Sequence, residues 1–295
     1  MAALGLALAA LFWGASYPLT KFVENCPTYY IIPIRFGTAA VVLAIIFRKN
    51  FKTLTFQTLK FGFLLSFCLT TMYILNIFGI KETTSVRSAF FTSLSFLVTP
   101  VVNMILFREK IHSNMILTLL LCLAGMFLLC YSPELGRAVI NWGDILCFFA
   151  SVAASFHIIF VERVTKKPGV DPALLTVFLM FFIALWGLLI GIFTGDMNYK
   201  AASSTEVFAI IGMGVFCSAA AFTLQSFLER IVPANRAGII FALEPASGGV
   251  FSYLILGEQL QLTGWLGAAV IMLSILYMEI STNRRNEKLL ASDKG

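Results

Sequence analysis

The chain has 295 residues, of which 59% are apolar and only 12% are charged, and its mean hydropathy is +0.90. Soluble globular domains carry about 25% charged residues, so this composition excludes a water-soluble globular protein. The net charge of +6 is not gathered into a dense basic block with aromatic residues between, so nothing in the sequence indicates nucleic-acid binding.

Apolar stretches of roughly 20 residues recur along the chain, and each is long enough to cross a hydrocarbon layer about 30 Å thick. Lipid offers the backbone no hydrogen-bond partner, so each stretch must be a helix. The sequence predicts an all-α integral membrane protein with ten transmembrane helices at residues 2–22, 28–47, 60–80, 88–107, 113–131, 142–161, 172–193, 206–227, 237–256 and 261–280. The first span lacks a basic leader and contains Trp13 and Pro18, so we expect it to be retained and not cleaved as a signal peptide.

The distribution of basic residues predicts the orientation of these helices. Fifteen of the 21 lysines and arginines fall on the side that holds both termini, five fall on the other side, and Arg35 lies within a span. Because positive residues favour the cytoplasmic side, we expect both termini to be cytoplasmic in a cell (inner) membrane. The six cysteines lie singly without a C-x-x-C pair, so we expect neither a metal site nor a cofactor.

An internal repeat becomes visible when positions are compared at a constant offset of 149. Asn76 then aligns with Gln225, and Glu109 aligns with Glu258; we expect these two glutamates, at helix ends, to be structural caps or ion pairs. Five helices per half is an odd number, so the second half enters the membrane from the opposite face and the repeats are inverted. The predicted domains are residues 1–134 for the first repeat, 140–282 for the second and 283–295 for a cytoplasmic tail.

Polar side chains at helical spacing mark the helix faces that avoid lipid. Such stripes predict that helices one, three, four, six, eight and nine surround a cavity, with the fifth and tenth further out. The candidate substrate-binding residues on these stripes are Trp13, Ser16, Tyr17, Tyr73, Asn76, Thr92, Ser155, Phe222 and Gln225. The alternative is that the hydroxyl groups only hold helices together.

Ionisable groups deep in a bilayer are costly unless they face protein or water, which makes them functional candidates. Glu244 precedes Pro245, whose ring interrupts the backbone ladder, so this pair is a candidate for the substrate or proton path and for gating. Arg35 either attracts an anionic group or anchors its helix by snorkelling outward. His157 is either a structural residue or a proton-coupling group. Phe241 adds a ring that can hold an apolar side chain or an ammonium group.

Several short motifs together resemble the EamA family of the drug/metabolite transporter superfamily. They are Phe12-Trp13-Gly14-Ala15-Ser16-Tyr17, Ile34-Arg35-Phe36, Leu243-Glu244-Pro245, Leu256-Gly257-Glu258-Gln259-Leu260 and Gly264. The resemblance covers residues 1–282. It implies ten helices with cytoplasmic termini, a central cavity lined by helices one, three, four, six, eight and nine, and transport of amino acids, related metabolites or small amphipathic compounds.

The first repeat departs from the family pattern at two positions. Pro245 stands at the bend position of the second repeat, whereas the equivalent position of the first repeat is Phe96 and a proline follows only at Pro100. We therefore expect the bend of the fourth helix to be displaced, and we count Pro100 among the gating candidates. Arg108 replaces the glycine that is usual before Glu109.

The repeat and the buried Glu244 favour a secondary transporter that works by alternating access around a midplane site. No G-x-x-x-x-G-K-[ST] loop occurs, so we expect a proton or solute counter-gradient to drive transport instead of ATP. We expect export of amino acids or related metabolites; the alternative is uptake or exchange of a cationic or nucleoside-like metabolite. With two histidines and no H-E-x-x-H motif, an enzyme is not expected. The expected partners are a small-molecule substrate and the lipid bilayer, with the chain acting as a monomer or homodimer.

Overall fold

The structure, a computed structural model, describes residues 2–23, 25–83, 85–131, 140–200, 203–257 and 261–292, and within these ranges it contains helices and no strand. The helices, in chain order, are α1 (Ala2–Lys21), α2 (Thr28–Ile46), α3 (Phe56–Glu82), α4 (Ser85–Ser93 and Ser95–Phe107), α5 (Ser113–Leu129), α6 (Trp142–Thr165), α7 (Pro172–Thr194), α8 (Ser204–Leu228), α9 (Ala234–Leu256) and α10 (Leu262–Ser292). Short 3-10 turns at Arg48–Thr53 and Asp196–Asn198 lie in two of the linkers.

Among the described residues, nine helices are long and apolar enough to cross a bilayer, and α5 is a shorter apolar helix. Large apolar side chains face outward, with Phe193 87% and Phe208 73% exposed, whereas hydroxyl residues such as Thr99 and Ser151 are fully buried. Lipid as the surrounding solvent accounts for this inverted distribution. The predicted all-α membrane fold is confirmed.

The helix ends differ from the predicted spans mainly at α3 and α10. Thr55 caps α3 by accepting a hydrogen bond from the Thr58 N–H, so the helix begins before its apolar stretch. The last helix continues to Ser292, through much of the segment expected to be a separate tail. Hydropathy does not detect such an extension, because a helix outside the membrane needs no apolar residues.

Helix contacts follow the inverted repeat. Each helix of the first half corresponds to the helix five places later in the chain. The contact of α3 with α6 therefore corresponds to the contact of α8 with α1, and that of α1 with α9 corresponds to that of α6 with α4. The pairs α2 with α7, α4 with α9 and α5 with α10 each map onto themselves. The two halves are therefore equivalent in packing. The start of α1 and the end of α10 lie at one face of the bundle, which we call the terminal face; the other is the opposite face.

The helices α5 and α10 touch through glycine. A Cβ atom built on Gly125 would lie 2.9 Å from the Gly267 carbonyl oxygen, and one built on Gly267 would lie 2.5 Å from the Gly125 carbonyl oxygen. Neither position tolerates a side chain without movement of the backbone. Small residues at such positions allow the close backbone approach that stabilises helix pairs in lipid.

Two of the membrane helices are interrupted at equivalent positions. The interruption of α4 lies at Leu94 and that of α9 at Ala242, and the repeat offset of 149 aligns Leu94 with Leu243. The displaced bend expected from Pro100 is therefore wrong, because Pro100 lies buried within the continuous segment Ser95–Phe107. Pro100 lies six residues after the interruption of α4, whereas Pro245 lies three residues after that of α9.

Hydroxyl groups stabilise the interruption in α4. The Ser95 carbonyl, one residue after the interruption, accepts a hydrogen bond from Thr99 Oγ1 at 2.7 Å and another from Ser155 Oγ of α6 at 3.2 Å. The Ser155 bond joins α6 to α4 at the residue that follows the interruption.

Arg108 ends α4 in a left-handed conformation. Its φ angle is 57°, close to the 69° of Gly257, which ends α9 at the repeat-equivalent position. Arg108 is also the one described non-glycine residue with positive φ. The family's usual glycine is thus explained by the backbone, and arginine occupies the same conformation at a cost.

We expect Arg108→Gly to stabilise the protein by about 1 kcal/mol, because a left-handed conformation costs a non-glycine residue roughly 1–2 kcal/mol and the more flexible unfolded glycine offsets part of that gain. Thermal unfolding of the purified protein in detergent measures the effect. Gly257→Ala is the matched control and should lower the midpoint; an unchanged or lower midpoint for Arg108→Gly would contradict the backbone explanation.

Candidate transport cavity

A cavity of about 550 Å³ lies between the two repeats. Its walls come from α1, α2, α3, α4, α6, α8 and α9. Near the opposite face it reaches Thr20 and Lys21, which are exposed, whereas its deepest residues, His157 and Gln225, are 2% and 1% exposed. The cavity is therefore open toward the opposite face and closed toward the terminal face.

Most of the candidate residues from the sequence lie around this one cavity. Those that line it are Trp13, Ser16, Tyr17, Arg35, Tyr73, Asn76, Thr92, His157, Phe222, Gln225, Phe241, Glu244 and Pro245. Ser155 and Pro100 do not. The Ser155 hydroxyl donates to the Ser151 and Ser95 carbonyl groups and so holds α6 against α4, which is the helix-packing alternative for a buried serine.

Glycine residues bring α1 and α9 together at the centre of the cavity. A Cβ atom on Gly14 would lie 2.8 Å from the Glu244 carbonyl oxygen, and one on Gly248 would lie 2.7 Å from the Tyr17 ring. This close packing positions Tyr17, whose hydroxyl group donates to Glu244 Oε1 at 3.4 Å. Glu244 thus faces the cavity from the helical turn that follows the α9 interruption. The Tyr17 hydroxyl group of the first repeat holds it there.

Arg35 points into the bundle and does not snorkel outward. Its Nε atom donates to Ser218 Oγ at 2.9 Å, and its guanidinium group lies 5.4 Å from the centre of the Phe36 ring. Ser218 lies in the π-helical segment Met213–Ala220 of α8, where Gly214 packs against the Arg35 carbonyl oxygen. The Nε bond is the only hydrogen bond of this guanidinium group to a described residue, so its terminal nitrogens remain available to a ligand.

An aromatic cluster forms one wall of the cavity. The Trp13 ring meets Phe222 and Phe241 edge to face, with ring centres 5.1 and 5.0 Å apart, and Phe36 meets Tyr73 at 5.3 Å. The Trp13 Nε1 atom is buried without a hydrogen-bond partner among the described residues. Such a wall can hold apolar groups or the face of a planar ligand, with one free donor at its edge.

Other parts of the cavity lining are polar. Asn76 Nδ2 of α3 donates to Thr92 Oγ1 of α4 at 2.7 Å. At the floor, the His157 ring packs edge to face on Phe222 at 6.0 Å and lies near Gln225, yet neither ring nitrogen has a well-formed hydrogen bond to a described residue. The structural role considered for His157 therefore rests on ring packing, not on a hydrogen bond.

A polar cluster closes the bundle between the cavity floor and the terminal face. Glu109, at the end of α4, accepts hydrogen bonds from Arg163 of α6 at 2.9 Å and from Asn235 of α9 at 3.2 Å. Asn103 of α4 donates to Asn235 Oδ1 at 2.7 Å. Glu162 of α6 accepts from the backbone N–H of the first residue of α9 at 2.8 Å. We call these contacts the closure cluster.

Of the two glutamates that the repeat aligns, the structure describes one. Glu109 forms the ion pair expected for a structural residue, with Arg163. Its counterpart Glu258 lies outside the described residues. Arg236, near the start of α9, forms an ion pair with Glu279 of α10 and so joins the N-terminal end of α9 to α10.

Sequence reasoning missed the polar residues below the cavity. Glu162 and Glu229 follow the predicted spans 142–161 and 206–227 and so fall in the predicted linkers. In the structure, however, only 7% of Glu162 and 0% of Glu229 is exposed. A signal was present, because Ser218, Phe222, Gln225 and Glu229 follow one another at spacings of four, three and four residues on α8.

The lining offers charge, hydrogen bonds and aromatic faces for binding, from side chains of both repeats. Among the described residues, no group of three or more His, Cys, Asp or Glu side chains is placed to hold a metal ion. One arginine and one glutamate in the same cavity, near enough to interact electrostatically, provide opposite charges for a ligand that carries both.

Comparisons with known proteins agree with this architecture. An uncharacterized transporter of Archaeoglobus fulgidus is 24% identical over 277 residues, covering 94% of this chain and 85% of that protein. The uncharacterized transporter YetK of Bacillus subtilis is 24% identical over 305 residues, covering 98% and 90%. A solved crystal structure, at 14% identity, shares the fold with a TM-score of 0.78 and covers 96% of this chain and 98% of that one.

The family model of the EamA-like transporters matches the chain twice, at residues 1–131 and 141–280. The two matches correspond to the two five-helix halves and together include every helix that lines the cavity. The chain is a multi-pass membrane protein that belongs to the EamA-like transporter family.

Proposed function

We propose that the protein is a secondary transporter that exports amino acids or related zwitterionic metabolites across the cytoplasmic membrane. The observation that carries this proposal is the cavity, which exposes Arg35 and Glu244 to one ligand. In this proposal the terminal face is cytoplasmic, as the distribution of basic residues predicts. The cavity is then open to the outside, and the closure cluster forms the inner gate.

The charges and shape of the cavity support a zwitterion as substrate. The terminal nitrogens of Arg35 suit a carboxylate, Glu244 suits an ammonium group, and the Trp13 wall suits an apolar side chain. The volume of about 550 Å³ lies within the roughly 300–1,000 Å³ typical of small-molecule sites. No other part of the described lining pairs an anion with a cation.

The inverted packing supports alternating access. Because the two halves are equivalent in packing, a second arrangement with the opposite face closed and the terminal face open uses the same helix pairs. The change requires the closure cluster to separate and α1 and α9 to approach α4 near the opposite face. The interruptions in α4 and α9 are suitable places for that bending.

A second candidate is transport of a cationic or nucleoside-like metabolite. It is favoured by the position of Glu244 beside the rings of Tyr17 and Phe241, because a carboxylate flanked by aromatic faces also suits an organic cation. In that case Arg35 serves mainly to hold α2 against α8 through Ser218.

Reconstituted vesicles should show saturable exchange of at least one amino acid. The measurement is uptake of a radiolabelled amino acid into vesicles loaded with the same unlabelled compound, with protein-free vesicles as the control. Saturable exchange of amines or nucleosides alone would favour the second candidate. Absence of saturable flux for amino acids, amines and nucleosides in both directions would refute the proposed function.

Neutral variants of the two charged residues should distinguish the candidates. For a zwitterion, Arg35→Gln and Glu244→Gln should each raise the apparent KM about tenfold to a hundredfold, since a hydrogen bond to a charged group contributes roughly 1.5–3 kcal/mol. For a cation, only Glu244→Gln should do so. Arg48→Gln and Glu82→Gln, exposed and outside the cavity, are matched controls. A KM unchanged in both cavity variants would contradict binding at this site.

Removing the side-chain amide of Asn235, which lies at the centre of the closure cluster, should favour opening of the terminal face. Asn235→Ala deletes two hydrogen bonds between α4 and α9, so we expect the population with an open terminal face to rise about tenfold or more. Spin labels on Lys110 and Arg230, both exposed, report the separation across that face in a cysteine-free background.

Asn50→Ala is the matched control for this measurement. Asn50 Nδ2 donates to Asp171 at 2.7 Å, an amide–carboxylate contact that does not cross the closure cluster. The control should leave the label distances unchanged. If Asn235→Ala also leaves them unchanged in lipid vesicles, the closure cluster does not set the balance between the two conformations.

A further inference from the structure

The carboxyl group of Glu229 is fully buried below the cavity floor. The residue is 0% exposed and follows the last residue of α8, one helical turn beyond Gln225, which lines the cavity. Gln225 Nε2 donates to Glu229 Oε1 at 2.9 Å, whereas Glu229 Oε2 has no hydrogen-bond partner among the described residues. Neither the cavity nor the closure cluster uses this group.

No ion pair joins Glu229 to a described cation, and the side chain of Arg230, the next residue, is exposed. The positive groups of α6 are engaged elsewhere: Arg163 pairs with Glu109, Lys166 pairs with Glu162, and Lys167 lies 4.6 Å from the Phe61 ring centre.

The remaining surroundings of Glu229 are apolar, neutral or negative. Of the helices packed against this part of α8, α7 contains no ionisable residue, and α1 contains none before Tyr17. From α6, Glu162 adds negative charge near enough to repel an ionised Glu229, and His157 lies at the cavity floor. An ionised Glu229 would be a buried charge without compensation, which is strongly unfavourable, so in this conformation the group holds a proton.

Glu229 also lies between two compartments. Toward the cavity, the Gln225 amide and the His157 ring offer polar atoms that have no partner among the described residues, and both side chains line the water-accessible space. Toward the terminal face, Glu162 leads to Lys166, which is 45% exposed.

We propose that Glu229 is the proton-binding residue that couples export to a proton gradient. Oε2 takes a proton from cavity water while the opposite face is open, and the carboxyl group releases it to water at the terminal face when that face opens. One proton then moves inward for each substrate molecule moved outward. This role rests on the proposed function, but binding of the proton does not depend on which substrate is carried.

The first test needs no substrate. Infrared spectra of the full chain in lipid vesicles at neutral pH are recorded for the wild type and for Glu229→Gln, which keeps the shape and removes the acid. The difference spectrum should contain the carbonyl stretching band of a protonated carboxylic acid. Glu206→Gln, at the other end of α8 and 7% exposed, is the control that should leave this band in place. If Glu229→Gln removes only carboxylate bands, the proposal is wrong.

The second test measures coupling. Vesicles with an interior about one pH unit more acidic than the bath, and with the membrane potential clamped, should accumulate a transported amino acid about tenfold for one-to-one exchange with a proton. Glu229→Gln should lower this ratio to about one while keeping exchange at equal pH, and Glu229→Asp should restore part of it. Retained accumulation in Glu229→Gln, or loss of exchange in the folded variant, would overturn the coupling role.

The two proposals fail separately in these experiments. Absence of any wild-type exchange would refute the proposed function and the coupling role with it. The infrared difference would still decide whether Glu229 carries a proton. If the wild type exchanges substrate but a pH gradient has no effect on that exchange, the protein is a transporter that is not coupled to protons. That result would refute the coupling role of Glu229 alone.

Discussion

Hydrocarbon solvates neither peptide groups nor charges, so each polar group in the membrane part of this chain needs a partner in the protein or in cavity water. Several of these partners come from the other repeat. Arg35 donates to Ser218, the Tyr17 hydroxyl donates to Glu244, and Asn103 donates to Asn235. These three pairs, which line or close the cavity, therefore also hold the two halves together.

The two faces of the bundle are not equivalent in the chemistry of closure, although they are equivalent in packing. At the terminal face an amide, a carboxylate and a guanidinium group connect α4, α6 and α9. The repeat offset aligns Asn235 with Val86, so the opposite face has no counterpart for the central amide. In the proposed transport cycle we therefore expect closure of the opposite face to use other contacts.

The sequence was sufficient for the number of helices, their repeat and most of the cavity lining, because hydropathy and helical spacing are local properties. It was not sufficient for side-chain directions and contacts that depend on residues far away in the chain. Arg35 turns inward because Ser218, 183 positions away, accepts its hydrogen bond. Ser155 does not line the cavity because its hydroxyl group donates to the Ser95 carbonyl of α4 and to the Ser151 carbonyl of its own helix. Glu229 was missed because it lies just past the end of a hydrophobic window.

The contact of α5 with α10 has a consequence for how a moving protein stays assembled in a fluid bilayer. Backbone meets backbone at Gly125 and Gly267, so the two helices are in direct contact there. Neither helix lines the cavity. In the proposed transport cycle we expect this pair to stay together as a frame shared by the two halves while the helices that line the cavity move.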